Sequence, residues 1–120
     1  MRSRLLLSLL VLCLTPFAAV AFPFSGGNSG TAYTANWNNG QRHSVTMTGN
    51  CTFTFSNPVN GGVYFLILTQ DATGSRTATW PAAVSWPGGT APTLSGANKV
   101  DIISFYYNGT TYFGQSSLNY

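Results

Sequence analysis

The chain has 120 residues, 44% of them hydrophobic, 14% aromatic and only 6% charged, with a formal net charge of +3. That length allows one domain, and the composition excludes a disordered tail, with its higher charge, and a coiled coil, rich in Glu, Lys and Ala. There is no Glu, and Asp71 and Asp101 are the only acids, so most metal and carboxylate-pair chemistry is closed to it.

Residues 1–21 read as a secretory signal peptide: basic Arg2 and Arg4, an apolar run over 5–14, a break at Pro16, and an Ala19-Val20-Ala21 end. The apolar run is too short for a membrane anchor, so no membrane partner is expected after its removal. Cleavage after Ala21 leaves 99 residues (120 − 21), in which Arg42, Arg76 and Lys99 face the two Asp, a net charge of +1. The basic character of the whole chain thus belongs mostly to the leader. No basic patch remains for a phosphate backbone, and nucleic acid is not an expected partner. Cys51 is then the single cysteine and is expected in the core, where a free thiol behaves as a small hydrophobe.

Residues 22–30, Phe-Pro-Phe-Ser-Gly-Gly-Asn-Ser-Gly, form an expected flexible Gly/Ser-rich lead. Residues 31–120 form the expected folded domain. Apolar–polar alternation recurs there every eight to twelve residues, the rhythm of short β-strands. Tyr33, Ala35 and Trp37 alternate in a first strand, Val45 and Met47 in a second, Cys51, Phe53 and Phe55 in a third. Residues 63–68 are apolar on both faces and read as a central strand. Residues 76–80 follow a turn at Asp71-Ala72-Thr73-Gly74, and a long loop with Pro81, Pro87 and Pro92 leads to residues 100–107 and 110–113. Asn108-Gly109 between the last two strands predicts a two-residue type I′ hairpin.

The expected architecture is all-β: an antiparallel, jelly-roll-like β-sandwich of about seven to eight strands, a usual form for about 100 residues. Its expected core is Val45, Met47, Phe53, Phe55, Phe65, Ile67, Trp80, Val84, Ile102 and Phe105.

Candidate chemistry is sparse. His43 is the sole histidine and reads as an ordinary strand residue, with no nucleophile elbow to complete a Ser–His–Asp set. A glycosidase needs two opposed carboxylates, whereas Asp71 suits a turn cap and Asp101 a local hydrogen bond. One His, one Cys and two separated Asp give no ligand-spaced metal cluster. No enzyme activity, cofactor or metal is therefore expected.

The aromatics exceed what one small core can bury, and amphipathic rings suit interfaces or stacking on sugars. Trp37, Trp86 and Tyr107 are the candidate glycan-stacking residues. Asn50 and Asn108 open Asn-x-Thr sequences and are candidate glycosylation sites.

The stretch Gly62-Val-Tyr-Phe-Leu-Ile-Leu-Thr-Gln-Asp-Ala-Thr-Gly, then Trp80-Pro81, Trp86-Pro87-Gly88-Gly89, Pro92, Asp101 and Asn108-Gly109-Thr110, resembles a small β-sandwich module of bacteriophage virion and tail-fibre proteins, over about residues 40–115. The resemblance implies a structural, trimer- or fibre-forming β domain and carries over no catalytic residue. The resulting expectation is a secreted structural subunit of an extracellular filament, a homo-oligomer assembling head-to-tail by N-terminal strand addition. Its donor segment would be Phe22 and Phe24, or Tyr33, Ala35 and Trp37. The alternative is a glycan- or receptor-binding module of a phage-like fibre.

Overall fold

The computed structural model describes residues 22–120, so the expected signal peptide at 1–21 lies outside the described residues. Among them, nine strands follow in chain order: β1 (Phe24–Asn28), β2 (Ala32–Asn36), β3 (Arg42–Met47), β4 (Cys51–Ser56), β5 (Val63–Gln70), β6 (Ala78–Thr79), β7 (Val84–Ser85), β8 (Val100–Tyr107) and β9 (Tyr112–Ser117). Single 3-10 turns at Trp37–Asn39 and Pro87–Gly89 interrupt them. The β-branched and aromatic residues of β3, β4, β5 and β8 suit a pleated surface, which is why these are the long strands.

The strands make a six-stranded sheet, ordered β1-β3-β5-β8-β9-β7, and a three-stranded sheet, β2-β4-β6. The all-β, two-sheet expectation holds. Its antiparallel, jelly-roll detail is corrected: β1–β3, β3–β5, β2–β4, β4–β6 and β7–β9 pair in parallel, and only β5–β8 and β8–β9 are antiparallel. Through the first six strands the chain alternates between sheets, so each strand of one sheet is the crossover that parallel neighbours in the other require. Period-two alternation reports which side chains point inward and is blind to strand direction.

Two local expectations also change. The lead at 22–30 contains β1, paired with β3 across a register shift between Ser25 and Gly27. The Gly-Gly pair supplies that bulge, with Gly27 at φ 71°, a conformation cheap for glycine alone. Asn108-Gly109 does not form a two-residue turn. Tyr107 pairs Tyr112 across the four residues 108–111, and the Asn108 side-chain carbonyl accepts from the N–H of Thr110 (3.0 Å) and Thr111 (2.8 Å). An Asn acceptor closing its own loop satisfies those donors without positive φ at Asn108.

The core lies between the sheets. Val45, Met47, Phe53 and Phe105 are buried as expected, and Phe55, Trp80 and Val84 pack against them partly buried. Ring contacts cross the gap: Phe55 lies 4.9 Å from Phe105 and 5.0 Å from Tyr112, while Trp37 stacks on Tyr64 at 4.4 Å. Phe65, Ile67 and Ile102 are corrected. They lie on the outer face of the large sheet, and Leu66, Leu68 and Ile103 occupy the interior instead. A strand apolar on both faces does not declare which parity points inward; the partner strands decide it.

The long connection at 81–98 is fastened by Asp101, fully buried, whose carboxylate accepts from the Ser95 N–H (2.7 Å), the Ser95 hydroxyl (2.6 Å) and the Asn119 N–H (3.0 Å). One buried acid thereby ties that loop and the C-terminal tail to β8. Three donors are what a desolvated carboxylate needs.

Candidate interaction surfaces

Three surfaces can meet a partner: the N-terminal edge, a groove beside Trp86, and the outer face of the six-stranded sheet. At the first, β1 is the outermost strand of the large sheet and β2 of the small one. Phe22 is 77% exposed and Phe24 half-exposed, whereas Tyr33 is partly buried and Ala35 and Trp37 are closed in the core. The two halves of the expected donor segment thus differ: β1 lies on the surface, and β2 carries core residues.

His43 holds this edge together. It is fully buried on β3 with Phe24, Tyr33 and Trp37 around its ring at 4.9, 6.0 and 5.2 Å between centroids. Its Nε2 faces the carbonyls of Asn36 (3.2 Å) and Gly40 (3.1 Å), and its Nδ1 lies 2.7 Å from the Tyr33 hydroxyl. Carbonyls only accept, so Nε2 carries the proton and Nδ1 accepts from Tyr33 in the neutral ring. Burial pushes the His43 pKa below its ordinary value, against the two carbonyl bonds that pull it up.

The second surface is an open groove of about 590 Å³ bordered by Trp86, Tyr106, Phe113 and Gln115. Tyr106 and Phe113 are 47% and 48% exposed and nearly parallel, 6.5 Å apart. Trp86 is half-buried against Trp80 and Phe105, and a Cβ on Gly114 would come within 2.5 Å of its ring. Of the expected stacking residues, Trp86 therefore borders an open surface. Trp37 is enclosed and donates its N–H to the Tyr112 hydroxyl at 3.3 Å. Tyr107 is half-buried, its ring on Tyr112 and its hydroxyl on the Gly109 carbonyl at 2.8 Å. The exposed tyrosine is its neighbour Tyr106. A doublet of adjacent tyrosines signals one in and one out, and only the pairing says which.

The third surface follows from the ladders. Val63, Tyr106 and Phe113 form one cross-strand row. Arg42, Phe65, Ser104 and Gln115 form the next, and Ser44, Ile67, Ile102 and Ser117 a third. Arg42 is the one charged residue in these rows. The small sheet contrasts: its outer face presents Thr34, Thr52, Thr54 and Thr79, all exposed.

The remaining candidates have local partners. Asp71 caps the Gly74 N–H at 2.9 Å and pairs with Arg76 at 2.8 Å; Arg76's hydrogen bonds are the main reason its carboxyl sits below the usual range. Cys51 is buried, and burial raises its thiol pKa. Asn50 and Asn108 are exposed, and both side-chain carbonyls accept backbone N–H groups, Asn50 from Thr77 at 3.0 Å. Among the described residues no group of three His, Cys, Asp or Glu is placed to hold a metal ion.

Fold and surfaces together define a small two-sheet β module whose distinctive features are its faces and edges. A family model described as "Putative phage tail fibre C-terminal domain" matches residues 30–112. The chain belongs to that family, as its Trp-Pro and Asn-Gly-Thr signature suggested. Membership makes it a structural fibre component with an extracellular or virion-associated location. No curated protein and no solved structure matches it significantly.

Proposed function

We propose that the chain is a non-catalytic subunit of an extracellular fibre, exported behind its leader, whose copies join head-to-tail through the N-terminal strand. The observation that carries this reading is the position of β1. It lies at an open sheet edge, just before the family-matched region begins at residue 30, and is joined to β2 by Ser29, Gly30 and Thr31. A strand held at an edge by main-chain pairing can complete its own sheet or the equivalent edge of a neighbour. Phe24, against His43, is the side chain that would seat it. The low net charge beyond residue 21 favours association, and the partner in this reading is another copy of the chain.

The test is deletion of residues 22–30 followed by electron microscopy. The full chain is expected to form filaments and the deletion variant to lose them, with a synthetic peptide of residues 22–30 capping growth of the full chain. Filaments of unchanged length in the deletion variant would overturn the strand-addition step.

A second reading, a glycan-binding fibre module, is favoured by the groove. Tyr106 and Phe113 offer ring faces, and Ser104 and Gln115 offer neutral hydrogen-bonding groups beside them. A neutral-glycan array on wild type and Tyr106→Ala separates this reading from the first.

A further inference from the structure

We infer that His43 is an acid-operated latch on β1: a second proton on its ring frees the strand that the head-to-tail joint uses. The effect on assembly rests on the strand-addition reading, whereas the latch itself is a property of the single chain.

Strand β1 is held at two places that differ in kind. At its C-terminal end the hold is neutral hydrogen bonding. The Ser29 N–H donates to the Thr46 carbonyl at 2.8 Å, the Thr48 N–H to the Ser29 hydroxyl at 3.2 Å, and the Gly30 N–H to the Thr48 hydroxyl at 3.0 Å. None of these groups titrates in the acid range. At its N-terminal end the hold is His43. Phe24 pairs His43 across the ladder, and its ring lies 4.9 Å from the imidazole. Between the two holds, Gly26 sits so close over the Tyr33 hydroxyl that a Cβ would collide with it. The register shifts there, between Ser25 and Gly27, so the Phe24 half of β1 can lift while Ser29 stays tied.

Three atoms make the hold depend on a proton. In the neutral ring Nε2 donates to the Asn36 and Gly40 carbonyls, and Nδ1 accepts the Tyr33 proton at 2.7 Å. Protonated on both nitrogens, the ring keeps its Nε2 bonds and meets Tyr33 only by donating to it. The Tyr33 proton then needs a new acceptor, and the hydroxyl has no second partner among the described residues. Lifting β1 brings water to that hydroxyl. Water accepts the Tyr33 proton, Tyr33 accepts from Nδ1, and every hydrogen bond of the charged ring is made. The face that Phe24 covers is opened to solvent as well, which lowers the cost of the charge. Proton uptake and release of β1 therefore favour each other, as linkage requires.

No other group around the ring offsets its charge. Tyr33 on β2 is the titratable side chain in contact with it, and burial pushes the Tyr33 pKa above its ordinary value, so it stays a hydroxyl throughout the acid range. Phe24 and Trp37 are neutral, Leu66 is the partner on β5, and Tyr64 stacks on Trp37. Arg42, next on β3, lies on the opposite face of the strand. Among the described residues no acid pairs with the ring.

The test is hydrogen exchange of the full chain at about pH 7.5, 6 and 5, corrected for intrinsic exchange rates. The β1 amides are expected to be less protected than those of β4, β5 and Ser29 throughout. They should lose protection as pH falls through about 6.5, by up to about tenfold per pH unit, and His43→Gln should remove that dependence. Phe24→Ala gives a second readout by NMR, because His43 is the single histidine and its ring resonances report this site alone. Uncovering the ring should raise its pKa toward 6.5. If neither variant folds, wild-type exchange decides alone. Protection of β1 that stays level from about pH 7.5 to 5, or β1 amides that open only together with β4 and β5, overturns the latch. So does an unchanged His43 titration in Phe24→Ala. Electron microscopy at the same pH values separates the latch from strand addition. Acid-released β1 without filaments supports the latch and overturns strand addition; filaments from a chain whose β1 ignores acid overturn the latch alone.

Discussion

At the scale of single residues, His43 sets the acid limit of the fold. Its neutral ring is satisfied on both nitrogens, and a second proton would turn Nδ1 into a donor facing a hydroxyl that now donates to it. The folded pKa lies below the ordinary 6.5, so as pH falls through about 6.5 the unfolded chain takes up a proton that the folded chain refuses. Stability is full above that point and declines with a slope of at most about 1.4 kcal/mol per pH unit until the folded pKa is reached. Asp71 acts in a lower window, because its depressed pKa keeps its contribution intact above 3.8. Urea unfolding at about pH 7.5, 6 and 5 should therefore show an early loss that His43→Gln removes; a wild-type curve flat across that range would contradict it. The sequence identified His43 as a strand residue and nothing more, since two of its hydrogen-bond partners, Tyr33 and Asn36, lie on β2 in the other sheet and the third, Gly40, ends the turn between.

At the scale of elements, the loops are closed by side chains as much as by backbone. The β8–β9 connection depends on Asn108, whose carbonyl serves two backbone N–H groups. Asn108→Ala leaves both without an acceptor in the protein, at a cost of about 1 kcal/mol in this exposed loop. Faster hydrogen exchange at the Thr110 and Thr111 amides should accompany the lost stability, with Asn108→Asp retaining most protection. At the other end, β1 depends on Gly26, where a Cβ would collide with the Tyr33 hydroxyl. Gly26→Ala should loosen β1 and reproduce, more mildly, the deletion of residues 22–30, read as faster exchange along β1. Element positions were legible from alternation and turn residues, and β2, β3, β4, β5 and β8 lie close to where the pattern put them. The type of the last turn was not legible, because Asn-Gly serves a two-residue turn and an Asn-capped four-residue loop equally well.

At the scale of the molecule, parallel winding separates every early pairing in sequence. Phe24 pairs His43, Arg42 pairs Phe65, and Cys51 pairs Ala78. No local hairpin forms until β8 and β9, so loop-closure entropy is met before most sheet contacts give anything back. Folding is expected in milliseconds to seconds, the slow range for β topologies, and stopped-flow tryptophan fluorescence measures it. A submillisecond phase carrying the full amplitude would contradict this winding. The same topology leaves a threonine-lined outer face on the small sheet and a more apolar one on the large sheet, where Val63, Phe65, Ile67, Ile102, Tyr106 and Phe113 stand among serines.

The sequence by itself determined an all-β chain poor in charge, the inward set Val45, Met47, Phe53 and Phe105, the buried Cys51, and the local duties of Asp71 and Asp101. These are consequences of composition and short-range period, which a linear string carries in full. Only the tertiary structure decided strand direction, the partition of apolar residues between the two faces of β5 and β8, and which aromatics meet water. Trp37 went inside while Tyr106 and Phe113 stayed out. Those outcomes depend on which strands lie side by side, and the free energy that selects the pairing comes from packing the two sheets together rather than from any one strand's own pattern.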